Sequence, residues 1–179
     1  MNKTTLIFAL LLFIQCSKDA TKVEETAITH DYLVSSQLLQ KHSKTITGSF
    51  SGLISQSIEE RIIHDIEVHK IVYKTKTVDG KETIASGAVM FPRLDQSLPM
   101  VSYQHGTITE ESSAPSNITN FGLNETGMMA IFAATGMIVS MPDYLGYGSS
   151  SDLPHPYEHR KSLATASHDM LKAVEEFLE

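Results

Sequence analysis

Two short apolar segments separated by a capped helical segment constrain the fold of this chain more than any other feature. Residues 100–103 and 137–141 each have the length and apolar character of a buried strand. Asn124 is placed to cap the helix between them, and Gly136 is placed to end it. A strand, a helix and a second strand at this spacing predict a βαβ crossover with parallel strands, and hence an α/β fold. The predicted apolar face of the helix comprises Met128, Met129, Ile131 and Phe132.

Three further segments complete the predicted organisation. Asp79-Gly80 lies between two β-rich segments, 66–77 and 82–91, and predicts an antiparallel hairpin whose two turn positions both accept positive φ. Apolar residues at helical spacing predict an amphipathic helix over 159–179. Residues 16–60 are mostly polar, and we expect a tether followed by an irregular N-terminal extension, with a short helix around Asp31 to Lys41.

The first fifteen residues have the pattern of a signal peptide. Lys3 precedes an apolar run over 6–14, which is shorter than the roughly 20 residues that a membrane-spanning helix needs. Cys16, the single cysteine of the chain, follows directly. This placement resembles a bacterial lipoprotein signal, in which the cysteine is lipidated and its acyl chains hold the protein on a membrane. We expect export and membrane anchoring at the bacterial cell envelope, with plain secretion as the alternative.

Charge and cysteine content exclude other classes of function. The chain carries 14 Lys and Arg against 21 Asp and Glu, a formal charge of −7, and it has no basic cluster. It therefore lacks the positive charge that neutralises phosphates, and we expect no nucleic-acid partner. One cysteine can form neither an internal disulfide framework nor a multi-cysteine zinc site.

The loops that follow the two apolar strands carry the candidate chemistry. The first strand leads into Gln104-His105-Gly106-Thr107, and the second leads into residues 143–150. Ligands bind at the carboxyl ends of strands in open α/β sheets, so both loops are predicted to lie at a binding edge. His-Gly-Thr after a strand is typical of an oxyanion loop, because Gly permits a sharp turn and the next N–H can point at a carbonyl oxygen.

These motifs, together with Ser113-Ala114-Pro115-Ser116 and a helix that contains Asp169, resemble the N-terminal half of serine α/β-hydrolases of the secreted lipase/esterase group. The resemblance implies an incomplete α/β-hydrolase fold over residues 61–179, truncated before the nucleophile strand. It implies ester hydrolysis through a serine, an ester or lipid substrate and no cofactor. It also implies site roles for six residues: the backbone N–H of Thr107 as an oxyanion donor, His105 and Gly106 as the residues that shape its loop, and Asp143, Tyr144 and Tyr147 as substrate-pocket residues. For the two tyrosines, simple packing against the edge is the alternative.

The nucleophile of that group lies in a Gly-x-Ser-x-Gly turn, which does not occur in these 179 residues. The acid and the histidine of the triad follow it in chain order, so no triad residue is assigned, and we expect a fragment that is inactive alone. A non-catalytic lipoprotein or a gene fragment is the alternative from another class. A zinc peptidase is a further alternative, since His155, Glu158 and His159 fit the H-x-x-E-H pattern; a loop with a helix cap explains the same residues.

Overall fold

A computed structural model describes residues 29–52, 54–119 and 124–179. Its described residues form one five-stranded sheet in the order β1-β2-β3-β5-β4. β5 and β4 pair in parallel, whereas the other neighbouring strands pair antiparallel. The strands are β1 (Leu33–His42), β2 (Ile66–Lys76), β3 (Glu82–Phe91), β4 (Met100–Ser102) and β5 (Ile138–Pro142), and the helices are α1 (Lys44–Gly52), α2 (Gln56–Glu59), α3 (Glu125–Ala134) and α4 (Arg160–Leu178).

The predicted βαβ unit is confirmed. The Asn124 side chain accepts a hydrogen bond of 2.9 Å from the Gly127 N–H, and Gly136 follows the helix at φ +105°. The predicted apolar face of α3 is wrong in part, because Met128 and Phe132 are 37% and 42% exposed. Met129 and Ile131 are buried as predicted, and Ala133 and Ala134 permit the predicted close approach to the sheet. Its buried residues are Gly127, Met129, Ala130, Ile131, Ala133 and Ala134.

The predicted hairpin is confirmed as β2 and β3, but its turn differs from the expected one. Gly80 has φ +83°, whereas Asp79 keeps a negative φ. The Gly80 N–H donates to Thr77 O at 3.0 Å, and the Thr77 N–H donates to Lys81 O at 2.9 Å. The turn therefore spans more than two residues, and only its last position requires glycine.

The short helix predicted around Asp31 to Lys41 is wrong, because this segment forms β1 and pairs along its length with β2. β1 is mostly solvent-exposed and lacks apolar alternation, so its stability comes from backbone pairing that the sequence pattern does not reveal. A carboxylate of α4 fixes its beginning: Glu176 accepts the N–H groups of Tyr32 and Leu33 at 2.6–3.1 Å. The sheet thus begins before residue 61, the predicted domain boundary.

Helices cover both faces of the sheet, as the α/β prediction requires. One core cluster places Val68, Met90 and Val139 beneath α3. The other places Ile71, Tyr73 and Val89 beneath the predicted amphipathic helix, α4. A side chain at Gly87 of β3 would collide with Met170 of α4, so the glycine permits this close packing.

No helix in the described part of the chain is long and apolar enough to cross a membrane. The predicted signal peptide, the Cys16 lipidation site and the first part of the tether lie outside the described residues.

Candidate active site

The carboxyl ends of β4 and β5 bring three loops together. Ser102 and Ser140 are paired across the two strands, and the Tyr103 N–H continues the pairing with a 2.8 Å hydrogen bond to Ser140 O. The loop after β4, the loop after β5 and the segment before α4 then border a partly open cavity of about 140 Å³. It is lined by His105, Gly106, Thr107, Ile108, Tyr144, Tyr147, His155, Tyr157, Glu158 and Leu163. Five of the six residues predicted for the oxyanion loop and the pocket therefore lie at one cavity.

The loop after β4 is folded around the His105 ring. His105 Nδ1 donates to Gly106 O at 2.7 Å, and Nε2 lies 3.4 Å from Asp143 O. The ring packs on Tyr144 with 4.6 Å between centroids. The N–H of Thr107 donates to no acceptor among the residues that the structure describes, and Thr107 itself is exposed.

Gln104 connects this loop to the rest of the site, a role that the sequence analysis did not predict. Its Oε1 accepts hydrogen bonds from Tyr144 OH at 2.9 Å and from Ser167 Oγ of α4 at 2.6 Å. Its amide nitrogen donates to Ser102 Oγ at 2.6 Å. One amide thereby connects β4, the loop after β5 and α4. Adjacency to the His-Gly-Thr motif is the only sequence clue that could have marked it.

The two tyrosines line the cavity and also pack against the edge of the sheet. Tyr144 has φ +67°, an uncommon conformation for a residue other than glycine, and is 7% exposed. Burial raises the pKa of Tyr144, so its hydroxyl stays protonated as the donor to Gln104. The Tyr147 hydroxyl donates to Ile108 O at 2.6 Å. These two bonds hold the loop after β5 against the loop after β4.

Asp143 does not face the cavity, contrary to its predicted place in the substrate pocket. Its side chain is fully buried and accepts hydrogen bonds from Ser86 Oγ at 2.6 Å and from the Ser116 N–H at 2.7 Å. Burial raises the pKa of Asp143, although the bonds from Ser116 and Ser86 oppose this shift. A side chain at Gly148 would collide with this carboxylate. Asp143 therefore anchors the loop after β5 to β3 and to the segment that contains Ser116.

The zinc-peptidase arrangement is wrong. His155 and Glu158 precede α4 in a loop, so the two histidines do not share one face of a helix. His155 Nδ1 donates to Leu145 O at 2.7 Å, and His159 Nδ1 accepts the Ser162 N–H as the helix cap. Among the described residues, no group of three His, Cys, Asp or Glu side chains could hold a metal ion. The loop with a helix cap is the correct interpretation.

Comparison with known proteins relates the fold of the chain to the folds of hydrolases. No family model matches the chain, and none of the curated proteins does. A solved structure of a protein from Legionella pneumophila, assigned as a hydrolase, is 32% identical over 82% of this chain and 39% of its own, with a TM-score of 0.68. The chain has a lipase- and esterase-like hydrolase fold. The rice cell wall degrading esterase LipA from Xanthomonas oryzae is 23% identical over 82% of this chain and 37% of its own, with a TM-score of 0.67.

Lipase A from Candida antarctica in its closed state is more distant. It is 16% identical over 81% of this chain and 31% of its own, with a TM-score of 0.51, and this likeness concerns the fold alone. The chain thus spans less than two fifths of the length of each of these three proteins.

Proposed function

We propose that this chain is the N-terminal part of an exported serine hydrolase that cleaves carboxylic esters, and that it supplies the oxyanion loop. The observation that carries the proposal is that Thr107 lines the cavity at the carboxyl ends of β4 and β5 and that its N–H has no acceptor among the described residues. An N–H in this position is available to the oxygen that becomes negative when a nucleophile attacks an ester carbonyl. The esterase and lipase among the structural neighbours support the choice of substrate class.

The proposed reaction is acyl transfer. A serine attacks the carbonyl carbon, the alcohol leaves, and water then releases the acid from the acyl-enzyme. The Thr107 N–H stabilises the oxyanion in both steps, and the N–H after the nucleophile is the second donor. Since Gly-x-Ser-x-Gly is absent from these 179 residues, the triad and this second donor come from residues outside them. The reaction needs no cofactor, because backbone donors and the triad carry it.

β4 supports the proposal that the hydrolase domain continues beyond these elements. Within the described residues β4 pairs with β5 alone, and Val101 is 36% exposed. A strand carrying the nucleophile would pair with this open edge. We therefore assign residues 61–179 to the N-terminal half of the domain, and we add β1, because it lies in the same sheet.

Export and anchoring rest on residues 1–16. We propose that residues 1–15 are a signal peptide and that Cys16 receives the lipid that attaches the protein to a membrane of the bacterial cell envelope. Cys16→Ser is expected to leave the precursor unprocessed and to abolish incorporation of labelled fatty acid. Normal processing of this variant would favour plain secretion.

A chimera tests the catalytic proposal. Residues 29–179 of this chain replace the corresponding part of the Legionella protein, and hydrolysis of p-nitrophenyl acetate is measured beside the unaltered parent. In an active chimera, Thr107→Pro removes the N–H and is expected to lower kcat roughly 10²–10³-fold. Thr107→Ser keeps the N–H and is the matched control, with kcat nearly unchanged. An inactive chimera beside an active parent, or full kcat in Thr107→Pro, would contradict the proposal.

A further inference from the structure

The segment before α4 forms a wall of the cavity that the motifs of the oxyanion loop do not account for. Tyr147 packs on His155 with 4.9 Å between ring centroids, and His155 meets Tyr157 edge-on at 6.4 Å. Tyr157 is 61% exposed although it lines the cavity, so it lies at the mouth. One side of the cavity is therefore built from three rings joined by two consecutive contacts.

Backbone strain is concentrated at the same cavity. Tyr144 and Glu158, with φ of +67° and +57°, are the two residues other than glycine that adopt positive φ in the described ranges. Both line the cavity. Positive φ in a bulky side chain costs free energy and persists where the surrounding structure requires it, commonly at ligand sites. Glu158 is exposed and lines the cavity just before α4 begins, so its carboxylate is within the segment that forms this wall.

The size and the chemistry of the cavity select a ligand class. The cavity is open to solvent on one side, and its volume of about 140 Å³ gives room for about one six-membered ring, since an engineered, closed cavity of about 150 Å³ holds one benzene. His155 donates through Nδ1 to Leu145 O, which leaves Nε2 as an acceptor, and the Glu158 carboxylate can only accept. The hydroxyls of Tyr144 and Tyr147 are donated to Gln104 and Ile108. The wall thus offers aromatic faces and hydrogen-bond acceptors.

We propose that this cavity binds a neutral six-membered aromatic ring that carries a hydroxyl group, and that the His155–Glu158 segment sets this preference. The ring stacks against Tyr147 and Tyr157, and its hydroxyl donates to His155 Nε2 or to Glu158. A carboxylate-bearing ring is disfavoured by the charge of Glu158. The inference that this ring belongs to an ester substrate rests on the proposed function. Binding of the ring itself requires no nucleophile.

Binding of small probes to the full 179-residue chain tests the inference. Amide chemical shifts around the cavity are followed by NMR during titration with phenol, with cyclohexanol as a non-aromatic ring of similar size, and with benzoate as a charged ring. Phenol is expected to bind roughly 2- to 10-fold more tightly than cyclohexanol, the range that one aromatic contact provides. Benzoate is expected to bind more weakly than phenol. Equal binding of phenol and cyclohexanol, or tighter binding of benzoate, would overturn the proposal.

Two substitutions separate a binding role from a structural one. Because Tyr157 is mostly exposed, Tyr157→Ala is expected to preserve the fold and to weaken phenol binding roughly 2- to 10-fold, whereas Tyr157→Phe keeps the ring and the affinity. Glu158→Gly relieves the positive φ and removes the acceptor, so we expect higher stability together with weaker phenol binding. Unchanged phenol affinity in both Tyr157→Ala and Glu158→Gly would show that the wall does not bind the ring.

The outcome is independent of the chimera experiment. Ester hydrolysis by the chimera without phenol binding would reject this inference and leave the proposed function intact. Phenol binding to the chain beside an inactive chimera would reject the proposed function and leave the ring site.

Discussion

Replacement of Gly146 by alanine tests how closely the loop after β5 packs on the segment before α4. Gly146 has φ +88°, and a Cβ built there would lie 2.5 Å from His155 Cα and 2.6 Å from His155 N. Both neighbours are backbone atoms, which cannot rotate away as the end of a side chain can. Gly80 provides the matched control, because its φ of +83° is nearly the same and no atom lies within 4 Å of the Cβ position.

The two substitutions differ by the collision alone. Alanine at positive φ costs about 1–2 kcal/mol, and we expect this loss of unfolding free energy for Gly80→Ala. Gly146→Ala adds the displacement of the His155 backbone, for which overpacking costs of about 1–3 kcal/mol are typical. The expected total for Gly146→Ala is therefore about 2–5 kcal/mol.

Urea unfolding followed by far-ultraviolet circular dichroism measures both changes. Near-ultraviolet dichroism also reports the Tyr147–His155 ring contact, and its signal should change in Gly146→Ala and remain in Gly80→Ala. Equal losses of stability in the two variants, with the same near-ultraviolet signal, would refute the close packing of the two loops.

Three further predictions concern other parts of the structure. Contacts with Lys41 and His69 lower the pKa of Glu67 from 4.5 to about 2, so Glu67 stabilises the fold above about pH 4.5 and this contribution is lost as the pH falls towards 2; Glu67→Gln should flatten the fall in thermal unfolding temperature across that interval, and an unchanged profile would contradict this. Asp143→Ala leaves the Ser116 N–H buried without its acceptor and should lower the free energy of unfolding, measured in urea, by about 2–5 kcal/mol; a loss below about 1 kcal/mol would show that Asp143 does not anchor the loop. We expect the open edge of β4 to make the chain associate as its concentration rises, and Val101→Lys, which places a charge on this edge, should reduce that association in sedimentation velocity; unchanged association would show that this edge is not the contact.

The sequence predicted those elements whose signals are local. The hairpin of β2 and β3, the capped helix α3 and the parallel pair β4 and β5 follow from turn chemistry, a cap and apolar runs within a few residues of each other. β1 was missed because its side chains are mostly exposed, and its pairing partner lies about 30 residues further along the chain. The sequence also did not predict the negative φ of Asp79, because the form of this turn depends on the hydrogen bond from the Thr77 N–H to Lys81 O.

For the candidate site, too, the sequence predicted what depends on local signals and on topology. Loops at the ends of two parallel strands must meet, so the nearness of Thr107 to Tyr144 and Tyr147 follows from the topology. The burial of Asp143 does not follow, because its partners are Ser86 on β3 and the Ser116 N–H, which lies 27 residues earlier in the chain.

The order of residues along this chain by itself determined an α/β fold and the placing of a His-Gly-Thr loop at the edge of the sheet, because apolar runs, caps and turn residues act over short distances. Only the tertiary structure decided what shares the cavity with that loop. The His155 ring is held by Leu145 O and by the Tyr147 ring, and the loop itself is held through Gln104 by Ser167, which lies about 60 residues further along the chain. Such contacts depend on how helices pack against a sheet, and no local pattern in the sequence encodes that packing.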